Sequence, residues 1–338
     1  MAVSSQERGY MYPSTSPLST VSGDEKEAKI KREDGDKLRL WIAFFLLLSV
    51  AAFFAGGGLQ RVKNQKEYSS FDSQPVAVVG NSKQQFSQEQ EPAPTLEELQ
   101  TIVNKLDTEV RNYKNRPGII METDPAGLEL TKKLQRATEA LIRSKYHPSG
   151  RFRVRVHLVF PESIPDYSEA TSKGSLLLEL NDIHVLPCSV YQFLEIASTW
   201  KSGSFHRNAG HVLQVQSRSS YEHRNMPFQE YSPEFPHTKG TTGYAGRPSS
   251  TGWYVSIQDN TRNHGPGSQQ KQNPHEADSN FGRVIEGMMD VVPRIHSVPQ
   301  KSWLDKKNQI DIPQITVLVP TSDSSWIPLD QYRSSKTE

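Results

Sequence analysis

The residue types best suited to hold a polar ligand stand in one short stretch, Gly203–Gln214, where Phe205-His206-Arg207 is followed by Gln214 in a run of alternating apolar positions. A guanidinium stays charged at any physiological pH and presents a planar fork of donors. A glutamine amide both donates and accepts. The spacing places Arg207 and Gln214 at opposite ends of a short turn and strand, where both can face a groove. The same residues also fit a plainer reading, a surface Arg on an edge strand, and the neighbouring segments have to decide between the two.

Those segments are mostly strands. From Arg151 to Phe160 basic and apolar residues alternate, so Phe152, Val154, Val156 and Leu158 are expected to face a core and Arg153, Arg155 and His157 to face water. Val212–Val215, Trp253–Ile257 and Gln314–Val319 read as further strands, Gly282–Val292 as a helix, and Pro187 as a residue suited to the first turn of another. The pattern predicts a mainly β fold, a closed barrel capped by helices, over residues 150–320. Two polar stretches, 217–239 and 258–280, are long enough to be functional or locally irregular loops.

Taken in order, Phe152–Val159 with Gly174–Leu180, Val185–Leu194, Phe205–Gln214, Ala245–Val255 and Phe281–Met288 resemble a cyclophilin-type peptidyl-prolyl isomerase domain, over a little more than half the chain. The resemblance implies a closed β-barrel and a polypeptide substrate containing proline, with no cofactor and no metal. It implies that Arg207 is the catalytic residue, Gln214 holds the substrate backbone, and Phe205, His211, Val212 and Tyr254 complete the substrate site. An X-Pro bond isomerises over a barrier of about 18–20 kcal/mol. Catalysis therefore needs an apolar pocket for the ring and a fixed donor that favours the twisted amide. His211-Val212 stands where the family has Phe-Met, one residue is missing between Arg207 and Gly210, and Val215-Gln216-Ser217 replaces Gly-Gly-Asp. The pocket is thus expected to be more polar than the family's, with His211 as pocket wall, loop residue or substrate contact.

The rest of the chain is organised around this domain. Thirty-nine Lys and Arg balance 38 Asp and Glu, which implies no nucleic-acid footprint, and the His residues are scattered rather than spaced as metal ligands. The single cysteine, Cys188, excludes an intrachain disulfide and reads as a buried small hydrophobe. Residues 1–37 form a polar tail. The uncharged run Leu40–Leu59, within a predicted span 38–60, would cover about 30 Å as a helix. Lys26, Lys29, Lys31, Arg32, Lys37 and Arg39 outnumber the basic residues that follow, so the amino end is expected in the cytosol and the domain in a secretory lumen or outside the cell. Residues 61–94 read as a linker. Residues 95–149 read as a helical stalk, capped at Thr95/Glu98 and broken at Pro117-Gly118, with a second helix starting near Asp124-Pro125. Residues 321–338 read as a tail.

Three functions fit: a membrane-anchored isomerase of reduced activity, a binding module of the same fold that holds Pro-containing segments without turnover, and a secretory glycosyltransferase. The last rests on the anchor and stem alone, because the only Asp-x-Asp spacing, Asp34–Asp36, lies on the cytosolic side of the predicted span.

Overall fold

The computed structural model describes residues 93–218, 225–268 and 273–336. The polar tail, the predicted span and nearly all of the linker lie outside these residues. Among the described residues no helix is long and apolar enough to cross a membrane.

The alternation of Phe152–Phe160 becomes strand β1 (Arg153–Val159), in which Val154, Val156 and Leu158 are buried. Arg153, Arg155 and His157 are half-buried rather than free in water. Arg153 shows why: its guanidinium lies 4.4 Å over the Trp326 ring and 3.5 Å from Glu179. β1 pairs antiparallel with β2 (Lys173–Leu180). The remaining barrel strands are β3 (Gly203–Asn208), β4 (Val212–Ser217), β5 (Thr241–Tyr244), β6 (Trp253–Ser256), β7 (Asn280–Glu286) and, after the short β8 (Ser302–Trp303), the long β9 (Ile310–Pro320).

Pairing runs β9-β1-β2-β7-β5-β6-β4-β3, and β3 returns to β9, which closes an eight-stranded antiparallel barrel. Length lets β9 serve twice, its Ile310–Ile312 end against β3 and its Gln314–Leu318 part against β1. The closed barrel with capping helices expected from the pattern is the architecture observed.

Helix α3 (Pro187–Ser198) begins with Pro at its first turn and sends Phe193 into the core, stacked on Phe281 at 4.0 Å and edge-on to Trp253 at 5.6 Å. Its first turn lacks a local side-chain cap, and the buried Glu230 carboxylate supplies one, accepting from Ser189 N at 2.6 Å and Cys188 N at 3.2 Å. Burial pushes both the Glu230 carboxyl and the Cys188 thiol up from their ordinary ranges. α1 (Leu96–Lys114) and α2 (Pro125–Lys145) pack on one another, and α2 packs on α3. Thr95 and Glu98 cap α1 reciprocally, and Asp124 caps α2 while accepting from the Tyr113 hydroxyl at 2.8 Å.

Three expectations differ from the structure. The segment read as a helix over Gly282–Val292 is mostly strand β7, with helix α5 confined to Val291–His296, after the short α4 (Thr261–His264). Gly282 is there because β2 passes so close that a Cβ would lie 2.5 Å from the Glu179 carbonyl oxygen. The stretch after residue 320 adds β10 (Trp326–Pro328) to β9 and helix α6 (Leu329–Ser334), anchored by the buried Leu329. The described residues of the polar stretches 217–239 and 258–280 are not all surface loop: Gln229, Glu230, His237, His264, Asp278 and Ser279 are buried.

Candidate functional site

A row of residues crosses the outer face of the barrel over four strands. Arg207 on β3 stands opposite Gln214 on β4, Gln214 opposite Tyr254 on β6, and Tyr254 opposite Gly243 on β5. Leu213 and Val215, the neighbours of Gln214, belong to the apolar core, so Gln214 and its partners face away from it. Gly243 is required here, because a Cβ would meet the Tyr254 hydroxyl at 2.7 Å and the Ser279 carbonyl oxygen at 3.0 Å.

Arg207 reaches this face through a β-bulge. The register shifts between Phe205, opposite Val215, and Arg207, opposite Gln214, leaving His206 as the extra residue. Phe205 consequently points inward, fully buried and 6.0 Å from Trp253, and is a core residue rather than part of the site. Arg207 donates from Nη1 to Gln214 Oε1 at 3.3 Å, and its guanidinium carbon lies 4.9 Å from the centre of the Trp303 ring. β8 places that ring, since Trp303 is the register partner of Arg207. The centre of the His206 ring lies 5.2 Å from that of Trp303. Burial, and then the adjacent Arg207 charge, hold the His206 imidazole below its ordinary range.

The Tyr254 half of the row is closed. The His264 ring stacks on Tyr254 at 4.7 Å and on His211 at 5.4 Å. His264 Nδ1 bonds Asp278 Oδ2, and Asp278 Oδ1 accepts from Arg247 Nε at 2.6 Å. Both partners of that ion pair are 2% exposed. Arg247 also donates to the Glu276 and His264 carbonyls and to Ser268 Oγ. The Tyr254 hydroxyl is 3.3 Å from both Asp278 Oδ2 and His237 Nδ1. Because His237 Nε2 donates to the Asp278 carbonyl oxygen at 2.9 Å, its Nδ1 is the acceptor. Burial lowers the His237 imidazole from 6.5 to about 4. Burial and the Asp278 charge push the Tyr254 phenol well up.

The structure therefore unites Arg207, Gln214 and Tyr254 directly. It joins His211 to them through His264, and places Val212 beside them, buried but outside the apolar cluster. Sequence reading missed His264, His237, Arg247, Asp278 and Trp303. Arg247 lay in the turn after Ala245, and His237, His264 and Asp278 lay in the two polar stretches marked as functional or irregular loops, but no spacing within those segments singled them out. As built, the open end can donate hydrogen bonds to a carbonyl or carboxylate, whereas the space above Tyr254 holds the protein's own imidazole. Among the described residues no group of three or more His, Cys, Asp or Glu side chains could hold a metal ion.

No family model and no curated protein matches the chain. Two solved structures of a cyclophilin-type peptidyl-prolyl cis-trans isomerase from Cryptosporidium parvum are similar to it. One shares 17% identity, covering 51% of this chain and 99% of that one at a TM-score of 0.35. The other, determined in the presence of the dipeptide Ala-Pro, shares 18% identity, covering 48% and 96% at a TM-score of 0.31. At these values the function of the site rests on its own geometry.

Proposed function

We propose that this domain is a cyclophilin-like polypeptide-binding module that holds Pro-containing segments against Arg207 and Gln214 without turning them over. The reading includes a single-pass anchor at 40–59, with the amino end in the cytosol and the domain in a secretory lumen or outside the cell, and it draws on the uncharged run and the basic residues before it. The observation that carries the reading is the His264 ring on Tyr254 and His211. Rotation about X-Pro is accelerated when an apolar recess holds the pyrrolidine ring while a donor favours the twisted amide. Here the donor is present, and a buried side chain hydrogen-bonded to Asp278 occupies the recess.

A second reading, an isomerase of reduced activity, draws on the Arg207–Gln214 contact, which would set a donor beside a backbone-binding amide. Binding and turnover separate the two. Fluorescence anisotropy with the full chain and a labelled Pro-containing peptide should show Arg207→Ala weakening binding by about tenfold or more, the loss of a charge-assisted bond, and Gln214→Ala weakening it less. Equal affinity for wild type and both variants would place peptide binding elsewhere. Acceleration of X-Pro exchange by the wild type, abolished in Arg207→Ala, would favour the isomerase.

A further inference from the structure

We infer that Trp303 receives the proline ring of an acidic, extended polypeptide segment, with Arg207 beside it binding a carboxylate, in place of the closed recess over Tyr254. The inference rests on the reading of the domain as a polypeptide-binding module, and adds to it where the proline goes and what chemistry flanks it.

Three observations support it. Trp303 is 60% exposed, yet it is not a loose surface side chain. Register with Arg207 fixes its backbone on the barrel edge, the Leu304 N–H donates to the His206 carbonyl oxygen at 2.8 Å, and the guanidinium backs the ring. A rigid aromatic surface of this kind gives contact area at little cost in side-chain freedom.

Arg207 is also under-used. Its Nε is buried with no hydrogen-bond partner among the described residues. No carboxylate among the described residues pairs with Arg207, although Arg111, Arg143, Arg153 and Arg247 all have one. Arg207 as a whole is half-buried and a guanidinium carries five donors, so donors beyond the one given to Gln214 can meet an acceptor that arrives from outside.

The charge around the ring selects that acceptor. The segment that carries Trp303 also exposes Lys301, Lys306 and Lys307 against one carboxylate, Asp305. The surface is therefore complementary to a segment bearing carboxylates. Proline suits the ring for a separate reason: a polyproline II segment is extended before it binds, and its pyrrolidine lies flat on an aromatic face. A carboxylate next to the proline would come within reach of Arg207.

The test uses the full chain and three labelled peptides of equal length, alternating Glu-Pro, Gln-Pro and Glu-Ala, in an anisotropy titration. The Glu-Pro peptide should bind about tenfold more tightly than either of the others. Its binding should weaken as salt rises, while that of Gln-Pro should not. Trp303→Ala should weaken Glu-Pro binding by about tenfold, Trp303→Tyr should keep most of it, and Arg207→Gln should bring Glu-Pro to the Gln-Pro level. Circular dichroism checks that each variant is folded, and Trp303→Leu serves as a second substitution that keeps bulk without the flat ring. If Trp303→Ala and Trp303→Leu bind Glu-Pro as tightly as wild type while Arg207→Gln still weakens it, the proline contact lies elsewhere and the inference fails, though the binding-module reading stands. Equal affinity for Glu-Pro and Gln-Pro would overturn the carboxylate preference. If none of the peptides binds, the inference and the reading beneath it both fall.

Discussion

The two ends of the Arg207–Gln214–Tyr254 row lie on one barrel face and have opposite characters. At the β3 edge, Arg207 holds one hydrogen bond and an exposed indole, and leaves a buried donor unused. At the β6 end, Tyr254 lies under His264, and Asp278 and Arg247 pair at 2.6 Å beneath the surface. One end keeps an exposed ring and an unused donor, and the other is filled by the chain itself. A shared backbone register therefore does not ensure a shared function. Access along this face is set by the His264 ring that lies over it.

Breaking the closed end should cost the most. Asp278→Ala leaves the Arg247 guanidinium buried without its counter-charge, a change that typically costs about 3–5 kcal/mol. Urea unfolding followed by circular dichroism measures it, and a loss under about 1 kcal/mol would mean that the pair is not truly desolvated.

Acid should strain the same end. His237 is held at about 4 when folded, against 6.5 when free, so the unfolded chain binds more protons between those values. Its contribution is therefore complete above pH 6.5 and is lost as pH falls toward 4. Between pH 7 and pH 5 the domain should lose about 2 kcal/mol from this residue. Unfolding midpoints across that interval should decline in the wild type and stay flatter in His237→Gln. Equal slopes in the two would show that His237 is not the group responsible.

His264→Ala removes a buried ring and its bond to Asp278, and should cost about 1–3 kcal/mol. At the open end, Trp303→Ala should change stability by no more than about 0.5 kcal/mol, as expected of a mostly exposed side chain. A Trp303 variant that destabilised as much as a His264 variant would erase the contrast between the two ends.

Much of the scaffold was legible because it is periodic. Alternation marked β1, the Thr95/Glu98 cap marked the start of α1, and Pro187 marked the first turn of α3. Resemblance placed Arg207, Gln214 and Tyr254, which the barrel sets in one row. Resemblance also put Phe205 in the site, consistent with a regular strand, in which residues two apart share a face. The bulge at His206 breaks that parity, and nothing in Phe-His-Arg announces it. The polar lock was hidden for a different reason. His264 and Asp278 come from a segment with no period, and they meet Arg247 and Tyr254 only through tertiary packing. Trp303 sits on a strand of two residues, too short to leave a pattern.

The most direct test of the closed recess is nuclear magnetic resonance exchange spectroscopy on an X-Pro peptide, with and without the full-length wild-type protein. Uncatalysed interconversion takes tens to hundreds of seconds, roughly, and a catalyst brings it into the range where exchange peaks appear. Peptide signals should broaden or shift on binding, while the cis and trans populations interconvert at the uncatalysed rate. Exchange peaks that grow with protein concentration and vanish in Arg207→Ala would contradict the account, because they would show that a proline ring reaches a working site despite His264.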